Sequence, residues 1–174
     1  MSMTIEKATS SDASELLAYL RQVGGETDNL TFGAEGLPFG VEAEAAYLAQ
    51  LEHSQDDLMV LAKENGKIIG IASLSRLPRR MAHRGDFSIS VAKEYWNRGI
   101  GSRLLDAILD FAGENGFEVI DLQVRSDNAA AIHLYEKYGF RKICTYPGFL
   151  KVRGQSVDAD LMYLTLAPAG DVCG

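Results

Sequence analysis

The stretch Trp96-Asn-Arg-Gly-Ile-Gly-Ser-Arg-Leu-Leu105 sets a glycine-rich turn directly against the start of an apolar-periodic helix, a junction suited to holding phosphate. The amides of Arg98, Gly99, Ile100, Gly101 and Ser102 fall at the helix start, where the first N–H groups lack intrahelical partners and the dipole is positive. Glycine at 99 and 101 lets a pyrophosphate approach the backbone without meeting a side chain, and Arg98 and Arg103 add positive charge at the same end. Two familiar phosphate loops do not fit. A dinucleotide fingerprint requires glycine where Leu104 stands, and a P-loop requires Gly-Lys-Ser/Thr, which the chain does not contain.

Further along, Asp121-Leu-Gln-Val-Arg-Ser-Asp-Asn128 reads as a strand leading into a polar cap, and Ala129-Ala-Ala-Ile-His-Leu-Tyr135-Glu-Lys-Tyr-Gly-Phe140 as a short helix ended by Gly139. Taken together, the two motifs resemble the GCN5-related N-acetyltransferase family, which moves an acetyl group from acetyl-coenzyme A to an amine. The phosphate loop of that family reads Gln/Arg-x-x-Gly-x-Gly/Ala. Gly99 and Gly101 match it, and Trp96 departs at the first position. The resemblance is sharp over residues 85 to 142; residues 4 to 84 and 143 to 166 fit the family's layout without a distinctive motif.

Acetyl transfer from a thioester needs a neutral amine, a donor for the developing oxyanion and, at the leaving thiolate, an acid. The resemblance implies that backbone groups of Ile89, Ser90 and Val91 hold the pantetheine arm, because the family's fourth strand splays from its fifth. It also implies that Asn128 and the amides of Arg98 to Ser102 contact the cofactor and that Tyr135 protonates the thiolate. A phenol ionises near 10 and a thiol near 8.5, so that donation runs uphill unless one of them is shifted. In the branch that acetylates the N-terminal alanine of a ribosomal protein, the fifth strand reads Leu-Glu-Val-Arg, with the glutamate as base. Gln123 stands at that place here, and an amide cannot accept the proton. Asp86, just before the fourth strand, and Glu26, after the first helix, are the candidate bases, acting directly or through water; a solvated surface carboxylate is the alternative reading of each.

An acceptor pocket is implied between the 22–40 loop and the last two strands, with Phe32, Phe39, Tyr146 and Phe149 as wall candidates or plain packing. Arg76, Arg79, Arg80, His83 and Arg84 read as a solvated basic turn, or as a contact for an acidic acceptor or a nucleotide phosphate. His53 and His133 read as exposed.

Composition bounds the alternatives. A chain of 174 residues, 47% hydrophobic and without a low-complexity linker, is expected to build one domain over 1–168 with a tail over 169–174. The net charge of −7 opposes nonspecific nucleic-acid binding; it is compatible with a cationic amine, and equally serves solubility. Cys144 and Cys173 are too few for a disulfide framework or a zinc site, so no metal is expected, and Cys173 is placed on a mobile tail. The absence of a long apolar run and of a signal peptide points to a cytoplasmic protein away from membranes. Dimers are common among proteins of this resemblance, which makes a homodimer possible. A coenzyme A-binding sensor without turnover is the alternative from another class.

The elements that must position these residues alternate in type. Strands are expected at Thr4–Ala8, Leu58–Ala62, Lys67–Leu77, Phe87–Val91, Phe117–Val124, Arg141–Tyr146 and Asp158–Leu166. Helices are expected from Ser10 to Gly24-Gly25, Val41 to Leu51, Ser102 to Ala112 and Asn128 to Tyr138, with loops at 26–40 and 147–156. Asn65-Gly66 signals a hairpin, and the strand, helix, strand order from Phe87 to Val124 signals a parallel crossover. The expected fold is α/β: a mixed, mostly antiparallel sheet of six to seven strands with about four helices on both faces.

Overall fold

In the computed structural model, which describes residues 2–166, seven strands and four α-helices alternate along the chain. They are β1 (Met3–Lys7), α1 (Ala13–Glu26), α2 (Val41–Leu51), β2 (Asp57–Glu64), β3 (Lys67–Arg76), β4 (Arg84–Val91), α3 (Ile100–Glu114), β5 (Val119–Arg125), α4 (Ala129–Lys137), β6 (Arg141–Val152) and β7 (Gln155–Thr165). The strands form one seven-stranded sheet in the order β1-β2-β3-β4-β5-β7-β6. The β1–β2, β5–β7 and β6–β7 pairs are antiparallel and β4–β5 is parallel, as the α3 crossover requires. Two compact units share the chain, one holding the residues up to Leu74 with Ile89–Leu109, the other Ser75–Ser88 with Asp110 onward. Cys173 and the expected tail lie outside the described residues.

Burial follows the periodicity of the sequence. On α3, Leu104, Leu105, Ile108 and Ala112 are fully buried, the stripe an amphipathic helix turns to a sheet, each leucine or isoleucine worth about 1.5–3 kcal/mol. On β5, Ile120, Leu122 and Val124 are buried while Gln123 is exposed and Asp121 half-buried, so this strand presents its polar side chains together on one face. Asn65 (φ 53°) and Gly66 (φ 80°) both adopt the left-handed backbone that a two-residue hairpin turn needs between β2 and β3.

Three expectations are corrected. Gly24-Gly25 does not end α1, which continues to Glu26; a Cβ on Gly24 would overlap the carbonyl of Gly33, so glycine there admits the following loop rather than stopping the helix. The 147–156 segment is not a loop but the continuation of β6 and the start of β7, joined at Arg153-Gly154 (φ 48° and 77°). Its polarity misleads because β6 is an edge strand with nearly every residue exposed, and Pro147 and Gly148 fall at the register shift between Tyr146 and Leu150, where proline is tolerated. Asn128 precedes α4 instead of belonging to it, and its side-chain oxygen accepts the Ala131 amide at 3.3 Å as an N-cap.

One ion pair anchors the N-terminal end of the first unit. Asp12 accepts the Thr9 amide at 2.8 Å and the Lys63 ammonium at 2.6 Å. Burial alone would raise its carboxyl, and Lys63 and Thr9 outweigh that, leaving it below the ordinary value. Because the folded state holds Asp12 more acidic than the unfolded chain does, its stabilisation is complete above about pH 4 and lost as the pH falls through the folded value. Asp12→Ala is expected to cost roughly 1–3 kcal/mol in urea unfolding at pH 7, with the gap to the parent protein closing in acid.

Candidate active site

The first unit carries the glycine turn. After β4, the Ala92 amide bonds the Ile69 carbonyl at 2.9 Å, and one turn of 3-10 helix over Lys93–Tyr95 leads to Trp96. Asn97 (φ 62°) and Gly99 (φ 73°) then take left-handed backbone and swing the chain into α3, whose first turn closes with the Arg103 amide on the Gly99 carbonyl at 3.3 Å. Asparagine tolerates that conformation; at 99 a side chain would be strained. A Cβ built on Gly99 meets nothing within 4 Å, so the turn faces open space beside the amides of Ile100 and Gly101. A helix N-terminus bordered by bare backbone and open space fits a pyrophosphate.

Trp96 shows why the loop tolerates its unusual first residue. The indole N–H donates to the Val91 carbonyl at 2.8 Å, fastening the end of β4 to the turn while the ring stays 43% exposed. Arg98 contributes less net charge than expected: its guanidinium pairs with Glu64 at 2.7 Å and lies over the Tyr95 ring. Glu26, a candidate base, accepts the Lys93 backbone amide on Oε2 (2.8 Å) and the Gln22 side-chain amide, one turn back in α1, on Oε1 (2.8 Å), so both oxygens are engaged and one of them holds the β4–α3 connection.

Sequence reasoning missed Tyr19. Its hydroxyl is 3.0 Å from Ser90 Oγ and its ring is buried, which pushes the phenol far above its ordinary value. In the sequence Tyr19 reads as another member of the Leu16, Leu17, Leu20 face, and no local pattern points to a serine in a distant strand.

The second unit carries Asp86, Gln123, Asn128 and Tyr135. The β4–β5 ladder runs from Arg84 opposite Val119 to Asp86 opposite Asp121, while the strands continue to Val91 and Arg125. At that end Gln123 Nε2 donates to Asp86 Oδ1 at 3.4 Å. Arg84 grips both oxygens of Asp121, with Nε on Oδ2 at 2.7 Å. Asp86, Asp121, Leu122 and Gln123 line a cavity of about 390 Å³ with Leu77, Ile143, Leu161 and Met162. Asp86 is reached by solvent at this cavity, yet desolvation among its walls pushes the carboxyl above the ordinary range, with repulsion from Asp121 in the same direction and the Gln123 amide opposing both.

Tyr135 lies on the other side of the same strands. It is buried, edge-on to Phe87 with ring centroids 6.0 Å apart and 5.7 Å from Phe140. Burial pushes its hydroxyl well above the ordinary phenol value, so it stays protonated at neutral pH. Asp160, a buried acid that no motif announced, gathers Ser126, Thr145 and Lys142 and so secures the β5–α4 turn against β6 and β7.

The remaining candidates separate. Phe32 packs on the first unit's core and Phe39 is exposed, while Tyr146 and Phe149 form an exposed edge-to-face pair on β6. In the basic stretch, Arg76 donates to the Ala82 and Asn115 carbonyls and covers the Phe117 ring, and with Arg84 paired to Asp121 both ends of the stretch are structural. His53 and His133 are exposed, as expected. Among the described residues no cluster of three or more His, Cys, Asp or Glu is arranged to hold a metal, and no helix is long and apolar enough to cross a membrane.

The family model described as Acetyltransferase (GNAT) family matches residues 27–140, which contain both the glycine turn and the Asn128–Tyr135 motif. The chain belongs to the GNAT family. N-alpha-acetyltransferase RimI of Mycobacterium tuberculosis is 38% identical over 94 residues, 53% of this GNAT chain and 58% of that protein. L-amino acid N-acetyltransferase AaaT of Escherichia coli is 35% identical over 102 residues, 56% of this chain and 62% of that protein. The chain thus spans about three fifths of the length of these curated relatives. A GNAT-family acetyltransferase of Streptococcus pneumoniae superposes with a TM-score of 0.91 at 33% identity, covering 95% of this chain and 100% of that one. The GNAT fold also matches yncA of Salmonella typhimurium, solved with its cofactor acetyl-CoA, at a TM-score of 0.83 and 22% identity over 99% of this chain and 100% of that one.

Proposed function

We propose that the chain is a single-domain, acetyl-coenzyme A-dependent N-acetyltransferase acting on a primary amine. The observation that carries this reading is the glycine turn at Asn97–Ile100, open to a ligand at Gly99 and set at the start of α3 within the GNAT-matched region. Acetyl-coenzyme A, when bound, supplies an acyl group activated as a thioester. The amides at the start of α3 hold its diphosphate, and the backbone of Ile89, Ser90 and Val91 receives the pantetheine arm, with Trp96 fixing the Val91 carbonyl and Tyr19 fixing the Ser90 hydroxyl. Asn128 remains a candidate cofactor contact through its backbone, since its side chain caps α4.

Asp86 is the better of the two candidate bases. Its carboxyl faces a cavity large enough for a small amine, and its raised basicity brings it closer to the working pH, where proton acceptance is most effective. Glu26, with both oxygens engaged, positions the turn. Gln123 cannot take a proton and instead orients Asp86. Tyr135 holds a proton for the leaving thiolate, and because burial makes its phenol a weaker acid its contribution is modest: Tyr135→Phe is expected to lower kcat by less than about 100-fold, with KM for acetyl-coenzyme A unchanged. Equal turnover in that variant would leave Tyr135 a packing residue.

Thiol release from acetyl-coenzyme A across a panel of amines and peptides tests the reading as a whole. Binding of acetyl-coenzyme A with no acceptor-stimulated release would favour a coenzyme A sensor. A second reading, acetylation of protein N-termini, is favoured by the similarity to RimI, and predicts activity on peptides beginning with alanine or serine. A cytoplasmic location and a homodimer belong to the same proposal; sedimentation velocity tests the dimer.

A further inference from the structure

The cavity beneath Asp86 has a composition that selects among amines. Its lining residues are Leu77, Ile143 and Leu161, the amide of Gln123, two carboxylates, Asp86 and Asp121, and Leu122 and Met162, whose side chains turn to the buried face of the sheet. Asp121 is paired with Arg84, which bonds both of its oxygens and offsets most of its charge. Asp86 receives only a 3.4 Å contact from the neutral Gln123 amide, so one uncompensated negative charge stands at an otherwise greasy wall. The charge complement of the cavity is therefore a single cation, and its volume of about 390 Å³ suits a small molecule.

We propose that the acceptor is a small monoamine carrying its primary amine on an uncharged apolar body, such as a branched alkylamine, an arylalkylamine or an amino-acid amide. This rests on the acetyltransferase reading and narrows its substrate. The ammonium sits against Asp86 and gives up its proton there, while the apolar body lies on Leu77, Ile143 and Leu161. A free amino acid is disfavoured because its carboxylate would face Asp86, with the nearby guanidinium of Arg84 already committed to Asp121. A polyamine is disfavoured because its further cations would be desolvated against leucine and isoleucine. The discrimination is thus made by what the cavity lacks as well as by what it offers.

The test compares 3-methylbutylamine, L-leucinamide, L-leucine and spermidine in thiol release with the full chain, and follows acetyl-coenzyme A binding separately through the emission of Trp96, the single tryptophan of the sequence. The expected result is a kcat/KM for 3-methylbutylamine and leucinamide at least about ten-fold above those for leucine and spermidine, a gap on the order of 1.4 kcal/mol. Leucine or spermidine matching or exceeding the neutral-bodied amines overturns the inference and leaves the acetyltransferase reading standing. A change in Trp96 emission with no release from any of the four or from peptides overturns both. Ile143→Lys provides the site-specific check, because Ile143 is 57% exposed and its replacement leaves the core intact. That variant is expected to raise KM for 3-methylbutylamine at least about five-fold, and to weaken its saturation-transfer NMR signal, with the acetyl-coenzyme A response of Trp96 unchanged. An unchanged KM and NMR signal would place the acceptor elsewhere.

Discussion

Gly101→Val is expected to abolish acetyl-coenzyme A binding, with Kd rising at least about 100-fold, which corresponds to roughly 2.8 kcal/mol. Gly101 lies in the first turn of α3 with helical backbone, where valine is a better helix former than glycine, so helix propensity does not oppose the substitution and the variant is expected to fold. Its isopropyl group projects beside the amides that face the open space at Gly99, where a diphosphate must come within hydrogen-bond distance of the main chain. Titration calorimetry with coenzyme A reads the effect directly, and a circular dichroism melt within a few degrees of the parent protein separates it from unfolding. Unchanged affinity in a folded variant would remove the phosphate assignment.

Asp86→Asn is the second large effect. We expect kcat/KM to fall about 10²–10⁴-fold for the best amine, with acetyl-coenzyme A affinity preserved. The pH profile carries the stronger information. Burial and Asp121 raise the Asp86 carboxyl above its ordinary value, so the parent enzyme loses activity as the pH falls through that raised value and the base becomes protonated. Asparagine has no such ionisation, so the acidic limb due to this group disappears and the residual rate follows only the deprotonation of the amine. A limb that persists in Asp86→Asn and vanishes in Glu26→Gln would transfer the role to Glu26.

The glycine turn was legible in the sequence because everything it needs is local. Two glycines, a left-handed asparagine and the apolar period of the following helix lie within one short stretch, and the first turn of a helix exposes its amides whatever surrounds it. Tyr135 was legible for a related reason: its spacing within the Asn128–Phe140 pattern marks a helix, though its burial against Phe87 was not written there. The 147–156 segment was misread because an edge strand need not alternate in polarity when both its faces are wet. Gly24-Gly25 was misread because a glycine required by an approaching carbonyl looks the same in sequence as one that ends a helix.

The side-chain pairs of the proposed acceptor side belong to the tertiary structure. Asp86 and Gln123 are 37 residues apart, as are Arg84 and Asp121, and Tyr19 and Ser90 are 71 apart. The sequence by itself determined the alternation of elements, the glycine turn at the start of α3 and the family, since hydrophobic period and turn chemistry depend on neighbours along the chain. Only the folded sheet decided that Arg84 pairs with Asp121 while Asp86 meets only the neutral Gln123 amide, because strand register sets those distances and register is fixed by packing summed over the whole molecule.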